Sequence, residues 1–451
     1  MHRRAFLSAA LGAATLAPAV ASAGYTPAML PGSIDAKERG LQAGAAADQG
    51  RLLQKLLVDA AKEDRPVFVP PGRYLLSNVV FPARVRLVGV AGATVFTFAG
   101  DGHMFSAENA ERIELSGLVI DGREQTLAEY VPGLVYLAQS QAVTIERCEI
   151  RGSSKAGIAL DRSAGRIERN SITGANDAGI RAIDSAGLAI VDNSVEDCGN
   201  GGILVWRWSE GDDGTIVTGN RVERIAAKAG GTGENGNGIN VFRADGVVVA
   251  NNRIADCAFT AVRANSASNI QILGNNCRNS GEVGIYSEFA FTGALISNNI
   301  VDRAATGISI TNFREGGHMA VVANNIVRNI VDRGPYPPDA PGFGVGISVE
   351  ADIVASGNIV DGAPLYGLML GWGPYLRDVA ATGNVIRRSP IGIAVSVVEG
   401  SGSAVISDNL IAGAERGAVV GMRWADPASG DLARPGAAAY PHLLVERNRV
   451  S

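Results

Sequence analysis

Short apolar runs that alternate with polar residues recur through residues 143–450, and each run is only four or five residues long. One kind of run begins at a glycine, as in GISI at 307–310, and another begins at an asparagine, as in NIV at 299–301. A third apolar run precedes each asparagine. Alternation with a period of two predicts strands with one buried face, and runs this short exclude a repeat of helices. The pattern therefore predicts three short strands per repeat, separated by polar turns.

The repeat length, roughly 22 to 27 residues in most units, determines the predicted fold. One unit cannot bury its own apolar face, but stacked copies can. We therefore predict an all-β, right-handed parallel β-helix with three strands per coil and coils about 4.8 Å apart. The asparagine recurs at one bend of each coil, where stacked side chains can hydrogen-bond along the axis. The predicted ladder consists of Asn170, Asn193, Asn220, Asn252, Asn276, Asn299, Asn325, Asn358, Asn384 and Asn409.

Residues 48–62 break the strand pattern. Their leucines form one apolar stripe at helical spacing, and Asp48 is a candidate N-cap. An amphipathic helix of this kind can cover the open end of a solenoid. We predict a capping helix at about 48–62 and regular coils at about 67–451, in one domain that spans 46–451. Residues 24–45 are predicted to be a flexible linker.

The first 23 residues are predicted to be an export signal. Arg3 and Arg4 precede an apolar stretch that ends in the small-residue sequence Ala21-Ser22-Ala23. The sequence RRAFL resembles a twin-arginine signal, which implies the Tat export machinery as a partner and a periplasmic or secreted location. An ordinary Sec signal is the alternative. The stretch is too short and too rich in alanine for a membrane span, and we predict no integral membrane segment in the mature chain.

Two stretches carry a family resemblance. The segment AADQGRLLQKLLVDAAKEDRPVFVPPGRYLL at 46–76 resembles the N-terminal segment of pectate-lyase-superfamily proteins, in which a capping helix precedes a strand hairpin. The asparagine and Gly-Ile repeats at 143–450 are similar to the parallel β-helix repeat of that superfamily. Together with HRRAFL at the start, the chain resembles a family of twin-arginine-exported repetitive proteins of uncharacterised role. The resemblance implies a fold rather than an activity, because these motifs are architectural.

Charge and cysteine usage narrow the possible partners. The 40 Lys and Arg residues are outnumbered by 45 Asp and Glu residues, which argues against nucleic acid as a partner.

Cys198 and Cys257 occupy equivalent positions two coils apart, roughly 9.6 Å along the axis and beyond disulfide reach. We therefore expect buried free thiols. No Cys-x-x-Cys motif or histidine cluster is present in the sequence, so we expect no metal site and no cofactor.

The outward positions of the Gly-Ile strands carry the candidate chemistry. Glu288 and Glu350 share one of these positions two coils apart, a spacing that could suit the two carboxylates of an inverting glycoside hydrolase, about 6.5–9.5 Å apart. They are the predicted catalytic residues, although the sequence shows no complete catalytic motif and enzyme activity stays open. The predicted substrate-binding residues are Arg181, Trp206, Asn240, Arg263, Tyr286, Ser309 and Ser348.

Two insertions, 226–237 and 331–344, both fall in the turn before a Gly-Ile strand, where they could wall a groove. The sequence therefore predicts an exported protein that binds a polysaccharide along this face, with lyase, hydrolase or epimerase activity as an open question. The alternative is a non-catalytic envelope scaffold or adhesion-type repeat protein. His103, His318 and His442 lie near no other motif, and we expect them to be solvated turn residues.

Overall fold

The computed structural model describes residues 32–231, 233–435 and 440–451. The predicted export signal at 1–23, with Arg3 and Arg4, lies outside the described residues. The chain forms a right-handed parallel β-helix of about 14 turns, as the repeat predicts. Within the described residues no helix is long and apolar enough to cross a membrane.

Each regular coil contributes one strand to each of three parallel stacks. Sheet A contains the strands that precede the asparagines, sheet B the strands that follow them, and sheet C the Gly-Ile strands. Two long strands, Asn276–Glu288 and Ile300–Ile310, run through both sheet B and sheet C. Sheet A consists of Ile34–Asp35, Val67–Phe68, Arg84–Val88, Arg112–Ser116, Val143–Glu146, Gly165–Glu168, Ala189–Val191, Ile216–Thr218, Val248–Ala250, Ile270–Leu273, Thr292–Ser297, His318–Ala323, Ile353–Ser356, Val379–Thr382, Ala404–Ser407 and Leu443–Glu446.

The other two sheets follow the same parallel order. The further strands of sheet B are Gly72–Leu76, Thr94–Phe98, Val119–Asp121, Glu149–Arg151, Ser171–Thr173, Ser194–Glu196, Arg221–Ile225, Arg253–Cys257, Ile326–Arg328, Ile359–Asp361, Val385–Arg387, Leu410–Ala412 and Arg449–Val450. The further strands of sheet C are Val79–Val80, Phe105–Glu108, Gly133–Ala138, Ala156–Asp161, Ala178–Ile183, Gly201–Asp212, Asn237–Asp245, Val262–Asn265, Val345–Val349, Tyr366–Leu370, Ile391–Ser396 and Gly417–Arg423, with Asp426–Asp431 added antiparallel at the end.

The core follows directly from the alternation of the strands. In sheet C, Ile180, Ile203 and Ile239 lie in register on successive coils, and each is fully buried. Burial of one such aliphatic side chain contributes about 1.5–3 kcal/mol. The four cysteines are buried free thiols. Burial raises the pKa of Cys148, Cys198 and Cys277 to about 12, which keeps these thiols protonated.

The N-terminal end is covered by the helix Gly50–Lys62, which buries Leu53 and Leu57. The N-cap residue is Gln49, so the prediction of Asp48 at that position is wrong by one residue. The Asp48 carboxylate instead accepts hydrogen bonds from the main-chain N–H of Gly50 at 2.7 Å and of Ser77 at 3.1 Å. It therefore joins the helix start to the following strand rather than capping the helix alone.

The predicted linker at 24–45 is also partly wrong. Ile34–Asp35 forms the first strand of sheet A and pairs in parallel with Val67–Phe68. Ile34, Ala36 and Leu41 are buried. These apolar residues belong to the core of the first coil, so the ordered domain begins before residue 46.

The asparagine ladder runs along the turn between sheets A and B. Asn299 is representative: its Nδ2 donates to the Ile272 carbonyl at 2.9 Å and to Asn325 Oδ1 at 3.0 Å. Its own Oδ1 accepts from the main-chain N–H and the Nδ2 of Asn275. The predicted member Asn276 is wrong, because Asn276 is exposed and Asn275 occupies the buried position. The ladder continues to Asn448 beyond Asn409.

Candidate functional site

The outward face of sheet C presents two rows of side chains along the axis, at the second and fourth residues after each glycine. Because the strands pair in parallel without a shift through this region, the second residue after each glycine stacks on its counterpart in the next coil. The stacked positions are Arg181, Leu204, Asn240, Arg263, Tyr286, Ser309 and Ser348. Arg181, the first of them, lies 3.7 Å from Asp161 and does not line the cavity described next.

A cavity of about 510 Å³ opens on the middle of this face. Four aromatic side chains line it, and the rings of Trp206 and Phe242 meet edge to face at 6.2 Å between centroids. Trp208 and Phe289 are 62% and 40% exposed, so much of their apolar surface meets solvent. The eight lining residues are Trp206, Trp208, Glu234, Asn240, Phe242, Arg263, Asn265 and Phe289. We call this cavity the aromatic pocket.

One wall of the aromatic pocket comes from an extension of a strand. The sheet C strand Gly201–Asp212 runs beyond its usual length and shifts register after Trp206. The extension holds Trp208, whose main-chain N–H donates to the Asp184 carboxylate at 3.0 Å and whose carbonyl accepts from Arg243 at 2.9 Å. These two hydrogen bonds hold an exposed indole at the rim.

The opposite wall comes from the insertion 226–237. Asn237 Nδ2 donates to the Gly233 carbonyl at 2.6 Å, which folds the insertion back over sheet C and places Glu234 in the lining. Gly233 has a φ of +129°, and a Cβ at this position would lie 1.7 Å from Arg263 Nη1. The positive φ therefore favours glycine at this position, and the absence of a Cβ lets the insertion lie directly against the guanidinium.

Arg263 forms the charged floor of the pocket. Its Nε donates to Glu288 Oε1 at 2.6 Å, and its Nη1 lies 3.5 Å from Glu282 Oε2. The guanidinium also lies 5.4 Å from the centroid of the Tyr286 ring. Burial raises the pKa of Glu288, although Arg263 opposes this effect. Burial lowers the pKa of Arg263, but attraction to the two glutamates outweighs it and the net pKa is raised.

Glu282 joins the second insertion to the same network. Thr260 Oγ1 donates to Glu282 Oε2 at 2.8 Å, and the Tyr336 hydroxyl donates to Glu282 Oε1 at 2.6 Å. Tyr336 belongs to the insertion 331–344 and packs against Phe343 at 5.5 Å and Phe259 at 6.3 Å between ring centroids. The two insertions therefore converge on the Arg263 cluster.

Glu350, the second predicted catalytic residue, has different surroundings from Glu288. Its Oε2 accepts a hydrogen bond from the main-chain N–H of Phe313 at 2.7 Å, in the turn after the strand Ile300–Ile310. Burial raises the pKa of Glu350 to about 7, against an ordinary value of 4.5. Near it, Ser309 lies 3.4 Å from Thr311, and the Ser348 hydroxyl is buried without a partner in the described part of the chain. Glu350 can therefore exchange a proton near neutral pH, whereas Glu288 is held in an ion pair.

Several residues of this region are not among the sequence-predicted ones. Glu282 and Tyr336 are 54 residues apart in the chain and meet only through the fold of the insertion. Trp208, Glu234 and Phe289 lie in turns or extensions outside the aligned repeat. The pair of tryptophans in WRW at 206–208 is the one local signal that could have indicated an aromatic wall.

His103 corrects one further expectation. It is buried, with Ser106 Oγ 2.9 Å from its Nε2 and the Tyr130 hydroxyl 2.9 Å from its Nδ1, so it is not a solvated turn residue. Burial lowers its pKa. It lies among the first coils of the solenoid and contributes nothing to the lining of the aromatic pocket.

Comparisons with known proteins agree on the architecture. The N-terminal fragment of bacteriophage Phi29 gene product 12 is similar in structure, with 15% sequence identity and a TM-score of 0.52. The superposition covers 86% of this chain and 68% of the phage fragment. For the pre-mature form of the same phage protein the shares are 86% and 54%, with 16% identity and a TM-score of 0.54. An Azotobacter vinelandii mannuronan C-5 epimerase A-module shares 16% identity over 80% of this chain and 96% of the module, at a TM-score of 0.48.

Identities this low show a shared fold alone. No curated protein matches the chain. The family described as "Right handed beta helix region" matches residues 94–222 and 208–386, which together cover more than half of the sequence. The chain therefore belongs to the right-handed β-helix family.

Proposed function

We propose that this protein binds a polysaccharide along the outward face of sheet C, with the aromatic pocket as one sugar subsite. The aromatic pocket is the observation that carries the proposal. It combines exposed ring faces with polar side chains in a cavity of about 510 Å³, within the usual size of a ligand site. Sugar rings need such a combination, because their C–H faces pack on aromatic rings while their hydroxyls need donors and acceptors.

The position of the pocket suits a chain rather than an isolated sugar. It lies on a face that continues along the axis through Tyr286, Ser309 and Ser348, one coil after another. The insertion 331–344 is fastened beside this face by the Tyr336–Glu282 hydrogen bond. A linear polymer could therefore follow the coils and place one residue in the aromatic pocket.

Substitution of the exposed indole tests this proposal. We expect Trp208→Ala to weaken polysaccharide binding by about two- to tenfold, since one stacked aromatic contributes about 0.5–1.5 kcal/mol beyond its buried area. The measurement is a glycan array followed by isothermal titration with the oligosaccharides that bind. Trp424→Ala is the matched control, because Trp424 is 47% exposed and lies outside the aromatic pocket. Absence of any bound glycan would favour the alternative role as an envelope scaffold.

A second candidate function, cleavage or epimerisation of the bound polymer, rests on Glu350. A buried carboxyl with a pKa of about 7 is suited to general acid or base chemistry near neutral pH. In this proposal Glu350 moves the proton, and Glu288 orients Arg263 at the floor of the neighbouring pocket. Turnover of a bound polysaccharide should be lost in Glu350→Gln while binding is retained. Binding without turnover by the unmodified protein would leave a lectin-like role.

Export through the twin-arginine route is part of the proposal and rests on the sequence of residues 1–23. We expect the precursor to reach the periplasm or the medium, and we expect replacement of Arg3 and Arg4 by lysine to retain it in the cytoplasm. Fractionation of cells that produce the two precursors tests this. Equal export of both would indicate the Sec route instead.

A further inference from the structure

The charge balance of the aromatic pocket indicates which class of sugar it can accept. Its floor holds one buried cation, Arg263, between two carboxylates: Glu288 at 2.6 Å and Glu282 at 3.5 Å. The side chains of both glutamates are 3% exposed and that of Arg263 is 10% exposed, so solvent screens them little. One guanidinium between two carboxylates leaves no excess positive charge on the floor of the pocket. The guanidinium of Arg243 lies at the rim instead, 4.8 Å from the centroid of the Phe242 ring, and its Nη1 donates to the Trp208 carbonyl.

The surroundings of the guanidinium reinforce this balance. Glu234 adds another carboxylate to the lining of the pocket. The Arg263 guanidinium lies against Gly233 and over the Tyr286 ring, which limits the directions from which a ligand could reach it. A ligand carboxylate that entered the pocket would lose its hydration and meet acidic groups, and both effects oppose binding.

Hydroxyl groups would meet better partners in the pocket. Among the described residues, Trp206 Nε1 and Asn240 Oδ1 are buried without a hydrogen-bond partner. One is a donor and the other an acceptor, so together they suit a group that both accepts and donates. A sugar hydroxyl does both, whereas a carboxylate only accepts. Pairing such buried atoms with a ligand stabilises the complex relative to leaving them unpaired.

We infer that the aromatic pocket takes an uncharged hexosyl residue and discriminates against uronic acids. This inference rests on the proposed polysaccharide binding and adds to it the substrate class. Neutral glucans, galactans and mannans are the polymers of this class. The acidic counterparts, polymers of glucuronate, galacturonate and mannuronate, differ at C6 by one carboxylate per residue and are the ligands that the pocket should reject.

Matched oligosaccharides test the inference. Isothermal titration of the purified protein with gluco-, galacto- and manno-oligosaccharides, each beside its uronate counterpart, should show at least one neutral series bound at least about tenfold more tightly than its acidic partner. Raising sodium chloride from about 50 mM to about 500 mM should leave this binding unchanged, since no ion pair with the ligand is involved. Tighter binding of the uronate series would overturn the inference and leave polysaccharide binding intact. Binding of neither series would overturn the proposed function itself.

A charge variant separates the effect of the pocket from general acidity of the protein. Glu234→Gln should raise the ratio of uronate affinity to neutral-sugar affinity by about threefold. Glu210→Gln is the matched control, because Glu210 is exposed on the same strand extension and does not line the pocket. An equal gain in both variants would assign the discrimination to overall charge and contradict the pocket as its source. Circular dichroism of each variant verifies that the solenoid is intact.

Discussion

Two glutamates at the same position of the repeat acquire different properties from their immediate neighbours. Glu288 is ion-paired with Arg263 and also accepts from Asn265 Nδ2 at 3.0 Å. Glu350 has a main-chain N–H donor from Phe313 and lies buried directly after the strand Val345–Val349. Its pKa reaches about 7, because burial disfavours the charged form more than the N–H donor supports it. At the residue scale, the burial of a glutamate and the groups that contact its carboxylate therefore affect its pKa more than its position in the repeat does.

This difference predicts a pH-dependent stability effect at Glu350. Because the pKa is raised in the folded protein, the group stabilises the fold below pH 4.5 and the contribution is lost as the pH rises through about 7. We expect Glu350→Gln to differ less from the unmodified protein at pH 5 than at pH 8, where it should be more stable by up to about 3 kcal/mol at about 1.4 kcal/mol per pKa unit. Urea unfolding at the two pH values measures this.

The control for Glu350 is an exposed glutamate. Glu129→Gln changes a solvated side chain. The free energy of unfolding of this variant should therefore change between pH 5 and pH 8 by the same amount as that of the unmodified protein. If Glu350→Gln shifted the unfolding midpoint equally at pH 5 and pH 8, Glu350 would have an ordinary pKa and the proton-transfer role proposed for it would lose its basis.

At the scale of elements, the asparagine ladder specifies where sheet A turns into sheet B. Asn299 shows how: its Oδ1 accepts from the preceding ladder member, and its Nδ2 donates both to the following member and to a carbonyl of the preceding coil. These bonds hold the turns of neighbouring coils at one spacing. The doublet at 275–276 shows how the member is selected. Cys277, two residues after Asn275, is buried and pairs with Ile254, two residues after the ladder member Asn252.

Adjacent asparagines therefore offer a matched pair of substitutions. We expect Asn275→Ala to destabilise the fold by about 3 kcal/mol or more, because it removes the side-chain hydrogen bonds to Asn252, to Asn299 and to the Val249 carbonyl and leaves buried polar groups unpaired. Asn276→Ala changes an exposed residue and should alter stability by no more than about 0.5 kcal/mol. Urea unfolding of both variants distinguishes them. Equal effects would contradict the assignment of Asn275 to the ladder.

At the scale of the whole molecule, the solenoid is a row of similar coils, and the apolar surface of an end coil has to be covered by something other than another coil. The helix Gly50–Lys62 covers the N-terminal end with one apolar face, and Leu57 is 2% exposed there. The coils behind it form one continuous buried cluster that reaches from Ile34 to Leu432. Loss of the cap would therefore expose the first layer of the core of the entire domain.

Substitution of the cap tests this dependence. Leu57→Ala should lower the free energy of unfolding by about 2–5 kcal/mol, the usual cost of a buried leucine truncated to alanine. It should also increase binding of a hydrophobic dye before the main unfolding transition. Leu52→Ala on the same helix is the control, since Leu52 is only partly buried and should cost less. A smaller effect at Leu57 than at Leu52 would contradict the capping role.

The sequence by itself determined the coil and the register of its strands. Period-two alternation, one asparagine and one glycine per repeat are properties of consecutive residues, and they predict which side chains face inward wherever the coils stack. This is why Arg263 and Tyr286 could be placed as outward neighbours in advance. At 275–276 both residues are asparagine, so local sequence does not distinguish the buried ladder member, Asn275, from its exposed neighbour.

Only the tertiary structure decided the partners of the outward side chains. Arg263 is neutralised by Glu282 and Glu288, and Tyr336 reaches Glu282 from 54 residues away. Insertions lie outside the repeat, so their path over sheet C depends on packing and on contacts such as that of Gly233 with Arg263. Periodicity specifies the direction of a side chain, whereas its charge balance and its pKa depend on groups brought together across coils. The fold was therefore predictable from the sequence, whereas the charge balance and the pKa values in the aromatic pocket were not.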